Sequence, residues 1–322
     1  MYRIGIDLGG TNIAVGIVDE DYKIIGKGSV PTKAERTPEE IIKDMGMLCN
    51  TLIEQTGISI NDVEYAGIAT PGTANRDDGV VEYANNLPFV KFPIADVLKK
   101  YLNVKKVLIE NDANAAAKAE AIAGAAKGCN HAIVITLGTG LGGGIIIDKK
   151  VYSGFNFAGG ELGHIVIEYN GRKCTCGRKG CWEAYSSATG LINITKDKIS
   201  QLKKTNSNTD TIMYKLIEKN NGIISGRTAF AAAKQGDKAG QEVVDEYIEY
   251  LACGISSIIN IFQPEVLCIG GGVCNEGDFL MKPLLEKVGK EQYSRDNSKQ
   301  TQIKIAALGN DAGIIGAAAL GV

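Results

Sequence analysis

An excess of charge of either sign is missing from this chain: 35 Lys and Arg stand against 37 Asp and Glu, a formal net charge of -2 over 322 residues. That balance leaves no basic footprint for nucleic acid and none for an anionic membrane surface. Long apolar runs are missing too. No stretch approaches the ~18 residues of a membrane helix. The opening Met1-Tyr2-Arg3-Ile4-Gly5-Ile6-Asp7 starts directly on a strand pattern, without the basic and apolar regions of a secretory leader. The expectation is a cytoplasmic protein, in a compartment that keeps thiols reduced. There Asn193-Ile194-Thr195, formally a glycosylation acceptor, has no consequence. A Gly-x-x-x-x-Gly-Lys-Ser/Thr run is absent, which excludes a P-loop.

Glycine, by contrast, is abundant. There are 40 glycines, above the usual share of ~7%, and many gather in short loops. Arg3 to Asp19 reads as strand, Gly9-Gly10 turn, strand. Ile133 to Ile147 repeats the pattern around Gly138-Thr139-Gly140-Leu141-Gly142-Gly143-Gly144. This weak internal repeat suggests two domains with related cores, which the chain length allows. Glycine turns let backbone N–H groups approach an anion closely. A Rossmann loop must open a helix, whereas both turns lead into strands. Asp7 beside Gly9-Gly10-Thr11 is placed to hold Mg²⁺ near phosphate. A third cluster, Gly270-Gly271-Gly272, follows an apolar strand at Val266 to Ile269. Each turn alone can be purely structural. Together they point to a two-domain α/β nucleotide fold of the actin-like and hexokinase-like kind, with ATP in an interdomain cleft.

The segments between the turns alternate. Pro38 to Gln55 reads as a helix with Thr37 as N-cap and Gly57 past its end. Glu64 to Ala69 and Lys106 to Glu110 read as strands, and Ala113 to Ala126 as a helix stopped by Gly128. Lys196 to Asp210, containing Lys203-Lys204-Thr205-Asn206-Ser207-Asn208, reads as a solvated surface segment. Gln241 to Ile261 and Ala312 to Leu320 read as helices.

Glu110-Asn111-Asp112-Ala113-Asn114 joins strand to helix, where α/β sheets collect ligands. Asp112 can take a proton from an attacking hydroxyl or simply cap the alanine helix. Asn111 offers a donor and an acceptor to a sugar. Farther on, His164 precedes Cys174, Cys176 and Cys181. In a reducing compartment this is a Cys₃His set for structural Zn²⁺, and it would clamp the flanking carboxylates Glu161 and Glu183. Cys49, Cys129, Cys253, Cys268 and Cys274 lie in apolar segments and read as buried small hydrophobes.

Over essentially its whole length the sequence resembles the ROK family of repressors, open reading frames and sugar kinases, and within it the bacterial glucokinases. The motifs that carry the resemblance are Ile4-Gly5-Ile6-Asp7-Leu8-Gly9-Gly10-Thr11, Glu110-Asn111-Asp112-Ala113-Asn114, Gly138-Thr139-Gly140, Gly160-Glu161-Leu162-Gly163-His164, the Cys-x-Cys-Gly-x-x-Gly-Cys-x-Glu run and Gly270-Gly271-Gly272. The resemblance implies a ribonuclease H-like, actin-like, hexokinase-type fold and a homodimer. It implies a small domain at 1–115 and 305–322 and a large one at 116–304. It implies Asp112 as catalytic base, with Gly72, Asn85, Asn86, Asn111, Asp112, Glu161, His164 and Glu183 around the sugar. Zinc would be held by His164, Cys174, Cys176 and Cys181. ATP would lie along Gly9-Gly10-Thr11, Gly138-Thr139-Gly140 and Gly270-Gly271-Gly272. Many members carry Lys where this chain has Asn12. The implied activity is transfer of the ATP γ-phosphate to the 6-hydroxyl of glucose. The alternatives are another sugar, such as N-acetylglucosamine, N-acetylmannosamine, fructose or allose, or a sugar-sensing repressor, for whose helix-turn-helix the early first strand leaves no room.

Overall fold

The computed structural model describes residues 1–204 and 211–322, so Thr205-Asn206-Ser207-Asn208 of the polar stretch lie outside the described residues. Two compact units are present: Met1–Val134, Gly143–Gly160 and Ala306–Val322 form one, and Ile135–Gly142 with Glu161–Ile305 form the other. Residues 116–134 and 143–160 thus pack with the first unit.

Strands β1 (Tyr2–Leu8), β2 (Asn12–Val18) and β3 (Ile24–Pro31) open the first unit as an antiparallel meander. Helix α1 (Pro38–Thr56) follows. Thr37 and Glu40 close a reciprocal capping box at its start, Pro38 occupies the first turn, and Gly57 ends it at φ 70°. Its buried Ile41, Ile42, Met45, Cys49, Leu52 and Ile53 recur at helical spacing and join the core beneath the sheet. Strand β4 (Val63–Thr70) pairs parallel with β1, and a small antiparallel sheet follows from β5 (Thr73–Asn75), β6 (Val80–Tyr83) and β7 (Val90–Phe92). Helix α2 (Ile94–Lys99) leads to β8 (Val107–Asn111), parallel to β4, and then directly to α3 (Asp112–Ala123). The main sheet has order β3-β2-β1-β4-β8.

Helix α3 ends at Ala123, earlier than the glycine at 128 suggested. The cause is Glu120. Its buried carboxylate accepts from Ala125 N at 2.7 Å, and from Ala307 N at 3.1 Å and Leu308 N at 2.8 Å. It therefore turns the chain and fastens the approach to the last helix.

The second sheet repeats the first. Strands β9 (Ala132–Leu137), β10 (Leu141–Ile147) and β11 (Lys150–Tyr152) come next in sequence. Helices α4 (Glu183–Ser186), α5 (Ala188–Lys204), α6 (Ile212–Lys219), α7 (Thr228–Ala233) and α8 (Lys238–Phe262) precede β12 (Val266–Gly270). Helix α9 (Asp278–Glu291) and β13 (Gln302–Ile305) complete it. The order β11-β10-β9-β12-β13 matches that of the first sheet strand for strand, as the repeated glycine turns anticipated. Lys196–Lys204 is largely exposed, as expected of a solvated segment, and is helical. It belongs to α5, which buries Ile194, Thr195 and Ile199. Its exposed residues include Lys203 and Lys204.

The last helix, α10 (Ala312–Ala318), packs on β1, β4 and α3. The backbone of Ala317 lies where a Cβ on Gly67 would stand, which explains why small residues dominate the contact. Among the described residues no helix is long and apolar enough to cross a membrane. Of the five scattered cysteines, Cys49, Cys268 and Cys274 are buried, while Cys129 and Cys253 are only half-buried. Burial pushes the Cys49 thiol up to about 12 and that of Cys274 to about 11, so both are inert at neutral pH.

Candidate active site

In the first unit the Gly9-Gly10-Thr11 turn links β1 to β2. Gly9 N donates to Asn12 O at 2.9 Å, Thr32 N to Thr11 O at 2.8 Å, and the Thr32 hydroxyl to Gly9 O at 2.7 Å. A Cβ on Gly10 would stand 2.8 Å from Asn86 Nδ2. Asn86, expected at the sugar, lies against the first glycine turn. Asn85 is its exposed neighbour and accepts from the Tyr83 hydroxyl at 3.2 Å.

Asp7 is half-buried on β1 and faces Gly313 of α10, where no side chain intervenes. Burial raises its pKa, partly countered by Lys27. Lys27 is itself paired with Asp311. A single carboxylate suits Mg²⁺, which takes its remaining ligands from water and phosphate.

The β8–α3 junction shows which residue caps the helix. Asn111 is the N-cap: its Oδ1 accepts from Ala113 N at 3.0 Å and Asn114 N at 3.2 Å, and its Nδ2 donates to Gly72 O at 3.1 Å. Asp112 is the first helical residue and is exposed. One of its oxygens accepts from Ala113 N at 2.8 Å. Asn111 thus spends its oxygen on the helix, and Gly72, at φ 86°, is held beside it. Sequence reasoning overlooked the groups behind this junction. Buried Glu110 accepts from Asn111 N at 3.0 Å and Asn114 Nδ2 at 3.1 Å, and pairs with Arg76 at 3.3 Å.

In the second unit His164, Cys174, Cys176 and Cys181 converge, with one ligand atom of each within 4.8 Å of the others. A short hairpin makes this possible. Cys174 N donates to Arg178 O at 2.9 Å, and Trp182 N donates to Ile165 O at 2.8 Å, which brings Cys181 back beside His164. Trp182, fully buried, anchors the loop on α8 through Nε1 to Tyr250 O at 3.0 Å. Cys174 Sγ lies 3.7 Å from His164 Nδ1, and Cys176 Sγ 3.6 Å from Cys181 Sγ. Three thiols and an imidazole at this separation fit tetrahedral zinc. Among the described residues this is the one group of three or more metal-ligating side chains recorded.

Glu183 opens α4 directly after the cysteine loop. Its Oε1 lies 3.8 Å from Cys174 Sγ and 3.4 Å from Thr175 Oγ1, and its Oε2 accepts from Leu141 N at 2.9 Å. Glu161 is exposed just before the short helical turn Leu162–His164. Gly138 N closes the second turn onto Gly140 O at 3.0 Å, with Gly138 and Thr139 exposed. In the third cluster Gly271, at φ 99°, presses on the Leu137 backbone just before the second turn, while Gly270 ends β12 and Gly272 is open around its Cα.

A family model describing the ROK family matches residues 3–321. The chain belongs to the ROK family. A glucokinase of Thermotoga maritima is 38% identical over 322 residues, covering 98% of this ROK chain and 96% of that protein. A solved ROK glucokinase of Streptomyces griseus, in complex with glucose and AMPPNP, is 33% identical with a TM-score of 0.81, covering 99% of each chain. A xylose repressor of Bacillus subtilis is more distant, 26% identical over 323 residues, covering 98% of this chain and 75% of that protein. The ROK chain thus has the actin-like, hexokinase-type α/β fold that its glycine turns implied.

Proposed function

We propose that this ROK chain is an ATP-dependent sugar kinase that phosphorylates the 6-hydroxyl of glucose. The observation that carries the reading is Asp112, an exposed carboxylate at the end of a buried parallel strand whose helix is capped by its neighbour Asn111 rather than by itself. The full-length likeness to glucokinases supports glucose as the acceptor.

In this reading Asp112 takes the proton of the sugar 6-hydroxyl as its oxygen attacks the γ-phosphorus. The O–H bond breaks, the O–P bond forms, and the bond from γ-phosphorus to the bridging oxygen breaks to release ADP. Gly72, Asn85, Asn86, Asn111, Glu161, His164 and Glu183 bind and orient the sugar. Such polar partners reject an analogue that leaves them unpaired, by up to about 10⁴-fold. Backbone amides of Gly9-Gly10-Thr11, Gly138-Thr139-Gly140 and Gly270-Gly271-Gly272 receive the nucleotide. Mg²⁺, when bound at Asp7, would screen phosphate charge. Zn²⁺ at His164, Cys174, Cys176 and Cys181 would be structural, since its four protein ligands leave no open position. The protein would act in the cytoplasm as a homodimer.

A single coupled assay of kcat/KM with ATP tests the proposal across glucose, mannose, fructose, N-acetylglucosamine and N-acetylmannosamine. Glucose is expected to lead. Preference for an N-acetyl sugar would overturn the substrate, and no turnover with any of them would overturn the kinase reading.

A further inference from the structure

Residues Glu183 to Thr189 form one arm that grips the second glycine turn. Glu183 Oε2 accepts from Leu141 N at 2.9 Å. Ala188 N donates to Gly138 O at 2.9 Å. The Thr189 hydroxyl donates to Thr139 O at 2.7 Å. Each residue from 138 to 141, Gly140 apart, thus has a partner in this arm. Gly140 is tied to it sterically, because a Cβ there would collide with Glu183 Oε2. Its backbone is not in the left-handed region, so that collision is what alanine would meet. The other oxygen of Glu183 is turned toward Cys174 and Thr175.

We propose that Glu183 is a shared positioning group that couples sugar binding to the shape of the second phosphate turn, and that Thr189 holds the same turn as a positioning residue for the nucleotide. The inference rests on the kinase reading above, in which Glu183 meets the sugar and Gly138-Thr139-Gly140 meets phosphate. One carboxylate then serves two ligands. When a sugar hydroxyl donates to it, the carboxylate is held more firmly, and so is the Leu141 amide that donates to its other oxygen. By linkage the effect is reciprocal: each ligand raises the affinity for the other by one factor. Thr189 is exposed, so nothing in the core requires its hydroxyl.

Two substitutions separate the parts. Gly140→Ala displaces the Glu183 carboxylate from within the turn. Glucose affinity, measured by calorimetry with no nucleotide present, should fall although the altered residue belongs to the phosphate turn. Thr189→Val removes one hydrogen bond from the turn. It should raise KM for ATP or lower kcat by roughly 2- to 10-fold, leave glucose affinity without nucleotide unchanged, and be rescued by Thr189→Ser. Unchanged glucose affinity in a folded Gly140→Ala protein would overturn the role of Glu183. Unchanged ATP kinetics in Thr189→Val, or failure of Thr189→Ser to restore them, would overturn that of Thr189. If the wild type instead phosphorylated no sugar, the kinase reading itself would fall.

Discussion

Arg76 and Glu110 form an ion pair with one partner in water and the other out of it: Nη1 and Oε2 are 3.3 Å apart, and the side chains are 44% and 3% exposed. Arg76 also lies over the Phe157 ring, 5.8 Å from its centroid. Removing Arg76 would leave Glu110 with its donors from Asn111 and Asn114 and no countercharge. Arg76→Ala is expected to cost about 1–3 kcal/mol of stability, the range for a buried polar group losing a partner. A double-mutant cycle with Glu110→Gln, read by urea unfolding, should return a coupling of about 0.5–3 kcal/mol. A coupling near zero would mean that solvent screens the pair.

Asp112→Asn keeps shape and loses the ability to take a proton. It should lower kcat by about 10² to 10⁴-fold while glucose binding persists. Near-wild-type turnover would remove Asp112 from the role of base.

The cysteine cluster predicts bound metal. Purified protein should carry zinc by elemental analysis, and Cys176→Ala should lower zinc content, melting temperature and glucose affinity together, since the loop also places Glu183. Fully active protein without zinc would refute the assignment.

Asp7 gives a pH dependence of defined sign. Burial raises its folded-state pKa above the ordinary aspartate value, with Lys27 opposing. The folded state therefore holds this proton more tightly than the unfolded state. Ionised Asp7 costs stability at neutral pH, and the cost fades as pH falls through the folded pKa toward the unfolded value of about 3.9. Asp7→Asn should match or exceed wild-type stability at pH 7, lose that advantage as pH approaches the unfolded value, and have little activity if Asp7 holds Mg²⁺. Urea midpoints of both proteins across that range measure it, and a variant less stable at pH 7 would contradict the sign.

Local signals were legible in the sequence wherever the cause lay within a few residues. Thr37, Pro38 and Gly57 bound α1 because caps satisfy groups in their own turn. The glycine turns after β1 and β9 fall where predicted, and the cysteine spacing sufficed to name a ligand set whose atoms do converge. Lys196–Lys204 reads from composition as a solvated segment, and its residues are largely exposed; that they continue the helix α5 and bury Ile199 is set by packing. Other facts depend on contacts between residues far apart in the chain. That Glu120 reaches Ala307 and Leu308, that Arg76 neutralises Glu110, and that Glu183 and Thr189 grip the second glycine turn were settled by tertiary structure alone. Sequence determined which chemistry the chain carries, since residue type and local backbone set that. Packing decided which of those groups were committed to holding the fold, because a hydrogen-bonding atom already used by a distant backbone is not available to a ligand.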